Sequence, residues 1–254
     1  MISAGVSYID EGAGEPLVLL MGLGAPASAW APHSRVWSGR YRCISVDNRG
    51  AGDTPLGDEP VTTQLLAGDV ARLIDSLGIA SCSVVGISMG ACIAQQLVVE
   101  RPDLVRKVVL VAPWARCDSS TTRALDVMLR VRRSGDSRAF NEFLRNLIWT
   151  PEWTNEHSLE MEADLGLPPA MSLEAFEQQV RACQQHDSLD RLSEILAPTL
   201  VTWGSADIFI RPSLSLEVAS KIAGAETAIF STSGHVHHWE DLERFNALVE
   251  EWLN

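Results

Sequence analysis

Ser88 stands between Gly86 and Gly90, where the β-branched run Ser83-Val84-Val85 gives way to an apolar run. A serine hydroxyl is a poor nucleophile at neutral pH, so chemistry at Ser88 needs a base to take its proton and a group to orient that base. Glycines two residues to either side permit a sharp turn and a close approach of strand and helix. Such a turn points the hydroxyl outward and sets the following N–H groups at a helix N-terminus, where negative charge is stabilised. This is the pattern of a nucleophile elbow. Alone, it also fits an ordinary strand-turn-helix with incidental small residues, so its weight rests on partners elsewhere.

Two partners sit where such groups collect, just past strand-like runs. Asp207 follows Thr199–Gly204, and His235 follows Thr227–Phe230. Histidine, with an ordinary pKa of about 6.5, can accept the serine proton. A carboxylate on its other nitrogen would fix the tautomer and stabilise the imidazolium. Gly22-Leu23-Gly24 follows the run Leu17–Met21, so the Leu23 amide could face that of Met89 and complete an oxyanion hole. Trp114, His237 and Trp239 are candidate pocket residues, with His237 and His238 expected at the pocket rim or surface. A metal cluster of His235, His237, His238 and Glu240 is the lesser alternative; no metal is expected. Asp47 and Arg49 are expected to pin their own turn.

The elements that must position these residues follow from periodicity. Strands are expected at Val6–Ile9, Leu17–Met21, Tyr41–Asp47, Ser83–Val85, Val108–Ala112, Thr199–Gly204 and Thr227–Phe230. Leu66, Val70, Leu73, Ile74 and Leu77 recur at helical spacing before Gly78. The helix after Ser88 is apolar on nearly every side, which predicts a core position, and Arg101-Pro102 ends it. This alternation predicts an α/β protein whose mostly parallel sheet is covered by helices on both faces. Residues 114–196 break the rhythm. They carry helical patterns at Arg123–Arg133, Ala139–Trp149 and Leu173–Leu192 and no strand-like run, so a helical cap is expected, inserted into a core of residues 1–113 and 197–254.

Composition bounds the rest. Acidic residues number 33 against 20 Lys and Arg, a formal charge of −13 that argues against a nucleic-acid partner. No apolar run reaches membrane-spanning length, and Met1–Gly5 lacks the start of a signal peptide, so no membrane partner and a cytoplasmic location are expected. Five cysteines without CxxC spacing read as reduced core residues.

Together, Leu19–Gly24, Asp47–Gly52, Gly86–Gly90, Trp203–Asp207 and Gly234-His235 resemble the α/β-hydrolase superfamily over nearly the whole chain. Within it the chain looks most like bacterial carboxylesterases and enol-lactone hydrolases with a helical cap. The resemblance implies Ser88 as nucleophile, His235 as base, Asp207 as acid, and the amides of Leu23 and Met89 as the oxyanion hole. The reading that follows is a cofactor-independent serine hydrolase acting on an ester or lactone of a mostly apolar small molecule, with a homo-oligomer allowed. Carbon–carbon bond hydrolysis of a ketone, or a slow-turnover binding protein, are the alternatives. Met21 stands where the family often has histidine, which removes that side chain's support from the loop. A serine at position 88 also sets the chain apart from relatives of this fold that use an aspartate there.

Overall fold

Leu17 and Leu19 point to one side of their strand and Val18 and Leu20 to the other, as the two-residue period of a strand requires. The same alternation in Val84/Val85, Val108/Val109 and Leu200/Val201 sorts these side chains into two cores, one on each face of a single sheet. The computed structural model describes residues 1–163 and 165–254. Its strands are β1 (Ile2–Ser3), β2 (Val6–Glu11), β3 (Glu15–Leu20), β4 (Tyr41–Val46), β5 (Cys82–Ile87), β6 (Val105–Val111), β7 (Thr199–Gly204) and β8 (Glu226–Phe230). They lie in the order β1-β2-β4-β3-β5-β6-β7-β8. Pairing is parallel from β4 through β8 and antiparallel at β1–β2 and β2–β4.

One core is closed by α1 (Ala31–Trp37) and the C-terminal helix α11 (Leu242–Leu253), with Trp30, Trp37, Phe245 and Val249 buried between them and the sheet. The opposite face carries α2 (Thr63–Ser76), α3 (Met89–Glu100) and α9 (Pro212–Lys221). Thr62 caps α2 by accepting from Leu65 N, and α3 is buried at ten of its twelve residues, as its all-round apolar surface predicts. The chain leaves β3 toward β4 on one side and reaches β5 on the other. The crevice past the ends of β3 and β5 is therefore a topological switch point, where α/β sheets place their ligands.

Between β6 and β7 lie α4 (Ser119–Arg133), α5 (Ser137–Ile148), α6 (Pro151–Glu156), α7 (Ser158–Ala163) and α8 (Leu173–Gln185). Asp118, Asp136, Thr150 and Ser172 cap α4, α5, α6 and α8, each accepting from an amide of the first turn. The pattern expected to run to Leu192 breaks at His186. There Ser188 N bonds to Ala115 O, and a 3₁₀ turn, Leu189–Glu194, follows before β7. All five cysteines are free, and four are buried. Among the described residues no helix is long and apolar enough to cross a membrane.

Candidate active site

Ser88 links β5 to α3 with φ 56° and ψ −119°, a conformation that costs a non-glycine residue about 1–3 kcal/mol and persists only where the surroundings impose it. They do so from three sides. Ser88 N bonds to Val111 O at 2.9 Å. A Cβ on Gly90 would overlap the carbonyl oxygen of Leu20, and one on Gly86 would overlap that of Gly90, so both glycines are required for α3 to lie against β3 and β5. Gly22 faces the serine directly: a Cβ there would lie 3.3 Å from that of Ser88.

His235 Nδ1 donates to Asp207 Oδ2 at 2.8 Å, with both side chains almost wholly buried. The other carboxylate oxygen of Asp207 accepts the amides of Phe209 and Ile210, each at 2.9 Å, so the carboxylate cannot rotate away. Phe209 sets its ring edge against His235, with centroids 5.1 Å apart. Ser205 N and Ala206 N bond to Phe230 O and Ser233 O and dock the Asp207 loop on the His235 loop. With Nδ1 engaged by Asp207, His235 has Nε2 left for a partner in the cavity that it lines together with Ser88.

That cavity measures about 370 Å³. Leu23, Phe209 and Trp239 contribute to it from the sheet side, and Met128, Phe140, Leu144, Ile148, Met171 and Phe176 from the helical segment between β6 and β7. Among its described lining residues none is Lys, Arg, Asp or Glu. The amides of Leu23 and Met89 donate no hydrogen bond within the described residues.

The structure corrects three expectations. His237 does not reach the cavity. It begins the short helix α10 (His237–Glu240) and is fully buried, its ring lying against Phe230 and Phe245 with centroids 4.8 and 6.0 Å away. Its Nε2 meets Thr202 Oγ1 at 2.9 Å, and burial pushes its pKa down to about 3. His238 is likewise fully buried rather than at the surface, stacked on His33 with centroids 5.3 Å apart, and it lines the cavity. Trp114 does not line the cavity either. After β6 the chain bends at Ala112 (φ 48°), and Gln95 Nε2 holds the Trp114 carbonyl at 3.2 Å while the indole meets His186 edge-on. Trp239 does line the cavity.

The residues weighed as a metal cluster serve separate ends. Glu240 accepts the amides of Thr150 and Gly234, each at 2.7 Å, which ties the inserted helices to the turn before His235. No group of three His, Cys, Asp or Glu among the described residues could hold a metal ion. Asp47 accepts Ala27 N at 2.7 Å, and Arg49 pairs with Asp69 at 2.5 Å, so both charges secure their own loops. Support for the Gly22–Gly24 loop comes from residues that periodicity did not single out. Asn48 Nδ2 donates to Met21 O at 3.2 Å, and Gln179 of α8 accepts from Gly24 N at 3.0 Å. A buried glutamine on an otherwise apolar helix face was the only local sign of the second bond.

A mostly parallel sheet with an elbow serine, a histidine and a carboxylate gathered past its strand ends defines a class of fold and site. The family model for the alpha/beta hydrolase fold matches residues 15–242, and the chain belongs to that family. It is 31% identical to the candidate non-heme bromoperoxidase BpoC of Mycobacterium tuberculosis, over 96% of this chain and 95% of that one. The candidate carbamate hydrolase RutD of Rhizobium rhizogenes is 27% identical over 98% and 96%. Among solved structures, the enol-lactonase of Burkholderia xenovorans superposes with a TM-score of 0.89 at 25% identity, covering 98% of this chain and 96% of that one. These relatives indicate a hydrolase.

Proposed function

We propose that this protein is a cofactor-independent serine hydrolase that cleaves an ester or lactone of a neutral, mostly apolar small molecule. The observation that carries this reading is the Asp207–His235 bond at 2.8 Å, facing one cavity with a serine held at positive φ. His235 Nε2 takes the Ser88 proton as Oγ attacks the carbonyl carbon, and Asp207 stabilises the imidazolium. The amides of Leu23 and Met89 receive the charge on the tetrahedral oxygen. His235 then gives its proton to the departing alkoxide, leaving an acyl group on Ser88, and a water activated by the same ring releases the acid. Residues 114–196 act as a cap on the core formed by 1–113 and 197–254, and the apolar side chains of the cap select the substrate. The enol-lactonase likeness supports a lactone or ester as the bond cleaved.

A fluorophosphonate probe tests this reading, together with a chromogenic short-chain ester. The expected result is one adduct mapped to Ser88 and turnover abolished in step with labelling. An unlabelled Ser88 in folded protein that also leaves the ester intact would overturn it.

A further inference from the structure

Leu23, whose amide the proposed mechanism uses, lies on a loop fastened at two points. Before it, Asn48 Nδ2 donates to Met21 O at 3.2 Å. After it, Gly24 N donates to Gln179 Oε1 at 3.0 Å. Gly24 has φ +78°, and a Cβ there would press on the Phe176 ring at 3.3 Å, so α8 packs directly on this turn. Gln179 is completely buried and uses both ends of its amide, since Nε2 donates to Arg49 O at 2.9 Å. A Cβ on Gly50 would overlap Ala175, one turn earlier in α8. One helix of the insertion thus sits on the two loops that follow β3 and β4, and a single side chain bonds to both.

We infer that Gln179 is a positioning residue for oxyanion stabilisation: from α8 it holds Gly24, and through it the Leu23 amide, in register with Ser88. The inference rests on the proposed function. Met21 gives the loop no side-chain hydrogen bond of its own, so support comes from across the fold. An apolar side chain at position 179 would fill the same space yet leave Gly24 N–H and Arg49 C=O without these partners, freeing the loop to relax. A donor displaced by a fraction of an ångström loses transition-state stabilisation while substrate binding, carried by apolar contacts, persists. α8 is then part of the catalytic frame, and displacement of the insertion changes rate as well as access.

The test compares Gln179→Met, Gln179→Glu and the neighbouring Gln178→Ala, which removes the bond from Val61 N to Gln178 Oε1 at 3.0 Å on the same helix. Each is assayed with a chromogenic ester, an alkyl boronic acid that mimics the tetrahedral intermediate, and an ether analogue lacking the carbonyl. For Gln179→Met, kcat is expected to fall about 10- to 100-fold with KM within about twofold, and boronate affinity to fall in parallel, because loss of a whole oxyanion donor costs about 10²–10³. Affinity for the ether stays unchanged. Gln179→Glu, which keeps an acceptor for Gly24 N–H, recovers part of kcat, and Gln179→Leu, which like methionine lacks the acceptor, takes the same tests with the same outcomes if the methionine variant does not fold. Gln178→Ala keeps wild-type kcat. Wild-type kcat and boronate affinity in Gln179→Met would overturn the inference, as would equal loss of boronate and ether binding. Failure of the underlying reading shows separately, as wild-type protein that the fluorophosphonate does not label at Ser88.

Discussion

Gly204, the last residue of β7, lies so close to Gly234 that a Cβ on Gly204 would overlap the carbonyl oxygens of both Ser233 and Gly234. This contact lets the loops carrying Asp207 and His235 share a wall. Gly204→Ala must push the two loops apart, because backbone atoms cannot yield as a flexible side chain can. The expected outcome is a loss of about 3 kcal/mol or more in a urea melt and a kcat reduced at least about 100-fold in whatever fraction folds. An alanine variant with unchanged melt and rate would show that the loops do not depend on this approach.

Ser88 stores backbone strain in addition to its proposed chemical role. Ser88→Ala is expected to lower kcat by about 10⁴- to 10⁶-fold, because the members of a triad act as a unit. Ser88→Gly should be equally inactive yet melt at higher temperature than Ser88→Ala, since glycine occupies positive φ without the steric cost. Thermal melts of the two variants side by side read out the strain, and equal melting temperatures would argue against it.

Acid should unfold this protein through histidines outside the proposed triad. Burial pushes His33 and His186 down to about 4, His237 to about 3 and His238 well below the usual value. In the unfolded chain each titrates near 6.5. Between these limits the unfolded state binds more protons, so stability is complete above about pH 6.5 and falls as pH drops toward 4. Each such histidine contributes a slope of up to about 1.4 kcal/mol per pH unit. Among the described residues His238 has no hydrogen-bond partner on either ring nitrogen, so His238→Phe keeps the stack and removes one titration. Urea midpoints at about pH 7 and pH 5 should therefore differ less in that variant than in wild type.

The cavity should reject charge. With no described Arg or Lys among its lining residues, a carboxylate carried on the acyl chain would be desolvated without a counter-ion, at a cost of several kcal/mol. We expect p-nitrophenyl butyrate to exceed the similarly sized p-nitrophenyl hemisuccinate by at least about 100-fold in kcat/KM. Comparable values would place a cation at the acyl subsite.

Much of the scaffold is legible locally because strands buried on both faces leave long apolar runs and buried helices leave repeats. β5 into α3 is the clearest case. α1 and α9 are not legible in this way. α1 buries His33 and Ser34 beside Trp37, and α9 buries Ser215 beside Leu214 and Val218, so polar residues interrupt the apolar stripe that periodicity detects. α6 and α7, at six residues each, are too short to show a period.

Residue type and spacing determined that Ser88 sits on a glycine-flanked turn and that Asp207 and His235 follow strands, because these are properties of a few consecutive residues. Tertiary structure alone decided that Asp207 and His235 meet at 2.8 Å, that His237 turns inward to Thr202, and that Trp114 is taken by α3 and His186. It also recruited Gln179 from the insertion to the loop beside Ser88. The physical reason is common to all four. A local pattern sets which face of an element is apolar, whereas the partner of a polar atom depends on how distant elements pack, and buried hydrogen-bonding groups take the partner that packing brings within reach.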